Sequence, residues 1–384
     1  MARSETTPSP ARRTGLRRRL LAWWDAGHRD LPWRFPQHGA DPYRVWLAEV
    51  MLQQTRVETA VPYFRRFVAR WPTLSALAAA DDGEVLAAWS GLGYYARCRN
   101  LLAAARMALA RHGGIPASVA ALAELPGLGP YTVGAVASIA FAIPAAAVDG
   151  NVARVLSRLE AVPGDPSSPK VKRTLGACAA ALVDPLRPGD WNQALMELGA
   201  TVCAPRAPRC SACPLSTPCR ARREGRTDAI PARSPRRPPV RMVMALVRVE
   251  RAGRLLLARA PERGLLAGTW GLPGLVVPEG EDPAGFLRAR ALADLGLRVD
   301  VGAEVVAVTR LLTHRRLELH VHAGTLRGRP PRDASRWAFT SGEEASRLPA
   351  STAMRRAIEA SGGFQTATWR VRGTGKSTRS HGRP

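Results

Sequence analysis

Residues 124 to 151 read ELPGLGPYTVGAVASIAFAIPAAAVDGN, and the organisation of the chain follows from this stretch. Leu125-Pro126-Gly127-Leu128-Gly129-Pro130 separates an Ala/Leu-rich helical run from a second apolar run, Tyr131 to Ala142. It reads as a tight turn between two helices, in which Gly127 and Gly129 permit positive φ and close backbone approach. A turn that opens into a helix N-terminus points several peptide N–H groups outward and makes a small site for an anion such as a DNA phosphate. Twenty residues past Gly129 come Val148-Asp149-Gly150-Asn151, followed by Val152, Val155, Leu156 and Leu159 at helical spacing. Taken alone, Asp149 is a helix N-cap.

The chain of 384 residues is long enough for two cored domains, and its formal net charge is +25. Residues 1–19 and 364–384 carry +5 each, which leaves +15 on the body. A polyanionic partner is the first expectation, with solubilisation as the plain alternative for the two ends. No apolar run reaches the length of a membrane span. Arg12-Arg13 is followed by Leu20 to Trp24, but Asp25 interrupts that run, so no signal-peptide core follows. A cytoplasmic, nucleoid-associated protein is expected, with cysteines either reduced or metal-bound.

Residues 1–15 are rich in Pro, Thr, Ser and Arg and read as a disordered basic tail, and Leu16 to Ala26 as the first helix. Asp41-Pro42 reads as an N-cap with Pro at the first helical position. It opens a helix whose stripe is Tyr43, Trp46, Leu47, Val50 and Met51. Glu49 falls off that stripe, so periodicity alone puts it in solvent. Cys203, Cys210, Cys213 and Cys219 are spaced C-x6-C-x2-C-x5-C, which suits zinc or an iron–sulfur cluster and by itself favours neither. Cys98 and Cys178 lie outside the pattern and read as buried thiols. Residues 226–240 hold too many prolines for a helix or central strand and read as a linker. Beyond them Met242 to Val249, Leu255 to Ala258, Val305 to Leu312 and Leu317 to His322 read as strands around one helix near Phe286 to Leu295.

Leu47-Ala48-Glu49-Val50-Met51-Leu52-Gln53-Gln54-Thr55 closely resembles the LSEVMLQQT segment of MutY-type adenine DNA glycosylases, and Gly91-Leu92-Gly93-Tyr94-Tyr95-Ala96-Arg97 matches the same family. The 124–151 stretch is similar to the hairpin and catalytic aspartate of the helix-hairpin-helix DNA glycosylase superfamily. The cysteine spacing resembles the 4Fe-4S loop of endonuclease III and MutY. Gly268-Thr269-Trp270-Gly271-Leu272-Pro273-Gly274 and the segment to Gly296-Leu297 resemble a Nudix fold. Its metal-binding glutamates are replaced, with Ala289, Arg290, Ala293 and Asp294 at the corresponding positions. The resemblance implies an all-α helix-hairpin-helix glycosylase domain with an iron–sulfur cluster loop, over residues 16–225. A smaller α/β Nudix-like lesion-recognition domain is implied over 241–360, with a disordered basic tail over 361–384.

The implied activity is removal of adenine mispaired with 8-oxoguanine or guanine in double-stranded DNA, by a monomer that engages no membrane. The resemblance makes Glu49 the general acid that protonates adenine, and ionised Asp149 the group that stabilises the sugar cation. Such a division needs one drier carboxyl and one that is hydrogen-bonded. Tyr131 and Asn151 match pocket residues around the two carboxyls. Gln54 and Tyr94 match residues that wedge into the stack when a base is extruded. The four cysteines match the ligands of a structural 4Fe-4S cluster. Endonuclease III-like enzymes carry a lysine where this chain has Tyr131, and a phenol cannot form a Schiff base, which implies a glycosylase that leaves an abasic site. Thr313 and His314 stand where the family carries a Ser-His reader of the lesion base, and Leu312 replaces the aromatic residue before it. Two other classes remain: a Nudix pyrophosphohydrolase with a DNA-binding appendage, and a non-catalytic iron–sulfur DNA sensor.

Overall fold

The computed structural model describes residues 9–34, 40–232, 238–261, 264, 266–312, 314–329 and 331–364. It divides into two compact units, one of Met1–Ala80 and Arg99–Arg236 and the other of Asp81–Cys98 and Arg237–Pro384.

Helix α1 (Pro10–Ala26) starts earlier than composition suggests, so residues 10–15 are folded and not part of a disordered tail. Ser9 accepts the Arg12 amide, Pro10 occupies the first turn, and the Arg12 guanidinium donates to the buried Glu160 at 2.8 Å. Helix α2 (Pro42–Leu52) is capped by Asp41 as the Asp-Pro pair predicts, but it is buried all round. Glu49 is only 6% exposed, which corrects the solvent position that a one-sided stripe gives it. Then come α3 (Val57–Arg70), α4 (Leu74–Ala78), α5 (Asp82–Trp89), α6 (Tyr95–His112) and the one-turn α7 (Val119–Ala123). After these lie α8 (Pro130–Phe141), α9 (Gly150–Leu159), α10 (Pro169–Leu182), α11 (Pro188–Thr201) and α12 (Arg220–Arg223).

Leu16 and Leu20 of α1, Val152 and Leu156 of α9, Leu175 of α10, and Trp191 and Leu198 of α11 form one core. Each contributes roughly 1.5–3 kcal/mol through burial. Two glycines set how closely the site-bearing segments approach. A Cβ on Gly199 of α11 would lie 2.6 Å from the Asn151 Cβ, and one on Gly134 of α8 would lie 2.1 Å from the Ala146 carbonyl oxygen. Either contact would force α9, or the segment leading to it, away from its neighbour.

The second unit holds β1 (Val240–Arg251), β2 (Arg254–Arg259), β3 (Trp270–Gly271), β4 (Gly274–Val277), β5 (Val299–Leu311), β6 (Arg315–Leu326) and β7 (Trp337–Thr340). Its strand order is β3-β2-β1-β6-β5, with β4 paired to β1 and β7 to β2. The β1–β6 pair is parallel, in register from Val240 opposite Arg315 to Val249 opposite Gly324. Helix α13 (Pro283–Arg290), extended by a π turn at Ala291–Leu295, packs Leu287 on the face carrying Val247, Val249 and Val301. After α14 (Gly342–Ser346), helix α15 (Thr352–Ala360) packs Met354, Ala357 and Ile358 on the face carrying Leu246, Leu317 and Leu319. Period-two alternation in β6 separates the two faces.

Three boundaries differ from composition-based expectation. Residues 226–232 do not hang free as linker, because Arg158 donates to the Thr227 and Ile230 carbonyls at 2.9 and 2.8 Å. Residues 361–364 are not tail, since Ser361 is buried and Phe364 packs against the sheet core. Asp81–Cys98, within the helical domain by sequence, groups by contact with the C-terminal unit. Its Ser90 and Tyr95 hydroxyls bond the Ala350 carbonyl at 2.8 and 2.9 Å, ties that no local pattern announces.

Candidate active site

A cleft of about 1170 Å³ in the first unit is lined by Glu49, Gln54, Gly127, Gly129, Tyr131, Asp149 and Asn151. Three elements deliver the central side chains. Buried α2 carries Glu49, and the first turn of α8 brings Tyr131 to it, so that the Tyr131 hydroxyl donates to Glu49 Oε2 at 2.7 Å. Gly129 and Pro130 start α8 and fix where that first turn points.

Asp149 is the N-cap of α9, so the structural reading of this residue holds alongside its place in the cleft. Its Oδ1 accepts the Val152 amide at 2.7 Å, and its Oδ2 accepts from Asn151 Nδ2 at 3.0 Å. Asn151 is held in turn by Arg154, whose Nη2 donates to Asn151 Oδ1 at 2.8 Å and whose Nε donates to the Cys203 carbonyl at 2.8 Å. The Asp149 carboxylate is therefore anchored at both oxygens.

Burial pushes the Glu49 carboxyl up to about 7, and the nearby Asp149 charge adds to the rise while the Tyr131 bond and Arg34 oppose it. Burial also raises Asp149 above the ordinary carboxylate range, against the opposing bonds from Val152 and Asn151 and the charge of Arg154. Burial, then the Glu49 charge, pushes the Tyr131 phenol well above its usual range, so it stays a donor. The pair thus comprises one carboxyl poised near neutrality without backbone donors among its bonds, and one clamped by amides.

Sequence reading missed a second polar cluster in the same cleft. Glu197 of α11 is 3% exposed at its side chain and accepts from Arg29 at 2.6 and 2.9 Å and from Arg34 at 3.0 Å. Burial pushes Glu197 up, but the two guanidinium groups outweigh it and hold the carboxyl below its ordinary value. Arg34 also stacks over Trp24, at 4.8 Å from the ring centre. These residues lie 163 and 168 positions apart along the chain, so no local motif joins them.

The remaining candidates are placed as follows. Gln54 is exposed on the cleft rim with φ +56°. Gly127 takes φ +80°, and a Cβ there would lie 2.8 Å from the Asn100 Cβ, so the turn requires glycine twice over. Tyr94 belongs to the second unit, 45% exposed with φ +51°. Thr313 lies outside the described residues. His314 is exposed in the turn between β5 and β6, its carbonyl accepting from the Val240 amide at 3.0 Å, and Leu312 is 37% exposed. At the altered Nudix positions Asp294 is bonded by Arg290 at 2.8 and 2.9 Å, which occupies the carboxylate that remains there.

Cys203, Cys210, Cys213 and Cys219 line one small cavity beside Arg158. Among the described residues no cluster of three or more candidate ligands is drawn into metal-holding geometry. The donor set nonetheless fits an iron–sulfur group. The four cysteines line that one space, the Leu215 amide bonds Cys213 and the Arg222 and Ala221 amides bond Cys219, and Arg158 Nη1 donates to Cys203 Sγ at 3.3 Å. Burial pushes the Cys213 thiol up to about 11 and raises Cys219 as well, and these amides oppose that rise.

Residues 47–180 match the HhH-GPD superfamily of base excision DNA repair proteins, and residues 243–360 match the NUDIX domain. The chain is 38% identical to the adenine DNA glycosylase of Rattus norvegicus over 89% of its own length and 77% of that protein. It is 36% identical to the Homo sapiens enzyme of the same name, covering 92% and 75% of the two chains. It is 44% identical to that of Mycolicibacterium smegmatis, covering 54% and 69%. Its helical domain therefore builds a DNA-binding glycosylase of base excision repair, acting on the N-glycosyl bond of adenine, and the chain belongs to the adenine DNA glycosylase family.

Proposed function

We propose that the enzyme removes adenine paired with 8-oxoguanine or guanine, as a monomer working on chromosomal DNA in the cytoplasm, and leaves an abasic site without cutting the strand. The observation that carries the chemistry is a buried Glu49 with a pKa of about 7, bonded by Tyr131 at 2.7 Å and neighboured by the amide-clamped Asp149. Protonated Glu49 gives its proton to the adenine ring, so the glycosidic electron pair leaves with a neutral base. The ionised Asp149 carboxylate faces the developing sugar cation, and water then adds at the sugar carbon and loses a proton to Glu49. Tyr131 positions Glu49, and Asn151 positions Asp149. No amine stands at residue 131, so no Schiff base forms there and the strand stays intact.

Extrusion of adenine costs a few kcal/mol of lost stacking and pairing, and Gln54 and Tyr94 fill the gap it leaves. The amides about Gly127 and Gly129 grip a backbone phosphate. Cys203, Cys210, Cys213 and Cys219 would hold a 4Fe-4S cluster, which when bound would fix the basic loop that carries them. Thr313 and His314 read the base opposite adenine.

Single-turnover release of adenine from duplexes containing 8-oxoguanine:A, G:A and T:A tests the assignment. Release from the first two, without strand scission and lost in Glu49→Gln, supports it. Equal release from T:A, or strand cleavage without added base, overturns it.

A further inference from the structure

Tyr94 sits at the apex of a turn that is fastened from two directions. From below, Trp89 Nε1 donates to the Gly93 carbonyl at 3.0 Å, and the Arg97 guanidinium lies 5.1 Å from the Trp89 ring and 5.7 Å from the Tyr94 ring. Gly91 and Gly93 take φ +98° and +76°, and Tyr94 itself takes φ +51°, a conformation a bulky residue keeps only when its surroundings impose it.

From the other side the turn is tied to the Nudix-like fold. Ser90 Oγ and Tyr95 Oη, which flank the turn, both donate to the carbonyl of Ala350, at 2.8 and 2.9 Å. Arg355 of α15 completes the set by donating to Ser90 Oγ at 3.3 Å. Ala350 is 1% exposed and belongs to a strap that is itself pinned. The Trp270 amide of β3 donates to the Pro349 carbonyl at 2.7 Å, and Ser351 caps α15 by accepting the Met354 amide at 3.1 Å. A Cβ on Gly271 would lie 2.3 Å from Met354 Cγ, so β3 lies directly against that α15 side chain.

We infer that Ser90, Tyr95 and the Ala350 strap are positioning residues through which the Nudix-like domain sets the Tyr94 wedge, coupling that domain to base extrusion. The inference rests on the wedge reading of Tyr94 given above. A turn held only by its own helices would hold Tyr94 regardless of the C-terminal fold. Here a single carbonyl of that fold accepts from both sides of the turn, so a shift of the strap moves the turn with it. The Nudix-like domain thereby acts on adenine extrusion as well as on the opposite base.

The test uses the full-length protein with its metal group. Fluorescence of 2-aminopurine placed opposite 8-oxoguanine reports extrusion, and single-turnover release of adenine reports the chemistry. In Ser90→Ala/Tyr95→Phe the extruded fraction is expected to fall at least about fivefold, the low end of what two hydroxyl-to-carbonyl bonds are worth. Affinity for an undamaged duplex and the alkaline limb of the pH–rate profile are expected to match the wild type. Restoring one donor with Ser90→Thr/Tyr95→Phe should recover part of the loss. Wild-type extrusion in the double variant overturns the inference, as does a parallel loss of undamaged-duplex affinity and thermal midpoint. Tyr94→Ala serves as the control. If it extrudes normally, the wedge reading fails and the inference falls with it. If it fails to extrude while the double variant does not, only the coupling is refuted.

Discussion

Glu49→Gln separates what a buried carboxyl does for chemistry from what it does to the fold. Burial carries the Glu49 pKa from 4.5 to about 7, and at about 1.4 kcal/mol per pH unit this amounts to roughly 3 kcal/mol. The folded chain holds the proton more tightly than the unfolded chain. Between pH 4.5 and 7 the unfolded chain has released a proton that the folded chain keeps, so stability falls as pH rises through that window. Below it Glu49 is neutral in both states, and above it the full cost of a buried charge is present. Gln removes this dependence and still offers an oxygen to the Tyr131 hydroxyl. The variant should equal the wild type in stability near pH 4.5 and exceed it by about 3 kcal/mol at pH 8, with adenine release reduced by orders of magnitude. Urea unfolding of both proteins across pH, followed by tryptophan fluorescence, measures the difference. An offset that does not change with pH, or a variant less stable at pH 8, refutes the burial argument for Glu49.

Tyr131→Phe removes the bond that holds the Glu49 pKa down, so the alkaline limb of the pH–rate profile should move up by about one unit, the value of one bond to a charged group; an acid shift would contradict the arrangement. Glu197→Ala leaves the Arg29 and Arg34 guanidinium groups beside a void and should cost about 3 kcal/mol, read as a lower urea midpoint. Log affinity for mismatch duplex should fall with log salt by about 0.9 for each phosphate neutralised, and a flat dependence would exclude a grip on the DNA backbone. Purified protein should be brown and absorb visible light, whereas stoichiometric zinc in a colourless protein would remove the cluster from the description.

The hairpin and its helix starts were legible because glycine, proline and aspartate act locally: Gly129-Pro130 starts α8 and Asp149 caps α9 where the sequence places them. The four cysteines were legible for the same reason, lying within 17 residues of one another. Glu49 was legible only through resemblance, since periodicity describes a helix with one wet face and α2 has none. The Arg29, Arg34 and Glu197 cluster was invisible, because its members meet only after α11 has folded back on the segment following α1. The attachment of Asp81–Cys98 to the Ala350 strap was invisible on the same ground, as a hydrogen bond to a backbone carbonyl leaves no mark on the identity of the accepting residue.

The cap on α9 has a consequence for the timing of catalysis. Asp149 acquires its rotamer when the helix folds, with Val152 on one oxygen and Asn151 on the other. In the proposed role the carboxylate would need no side-chain swing before meeting the sugar cation, because the dipoles around it are already aligned. Asparagine would still cap the helix through its one carbonyl oxygen, but its NH2 would then face a donor, either the Val152 amide or Asn151 Nδ2. Asp149→Asn therefore keeps the helix cap while removing both the charge and one of the two bonds that aim the side chain.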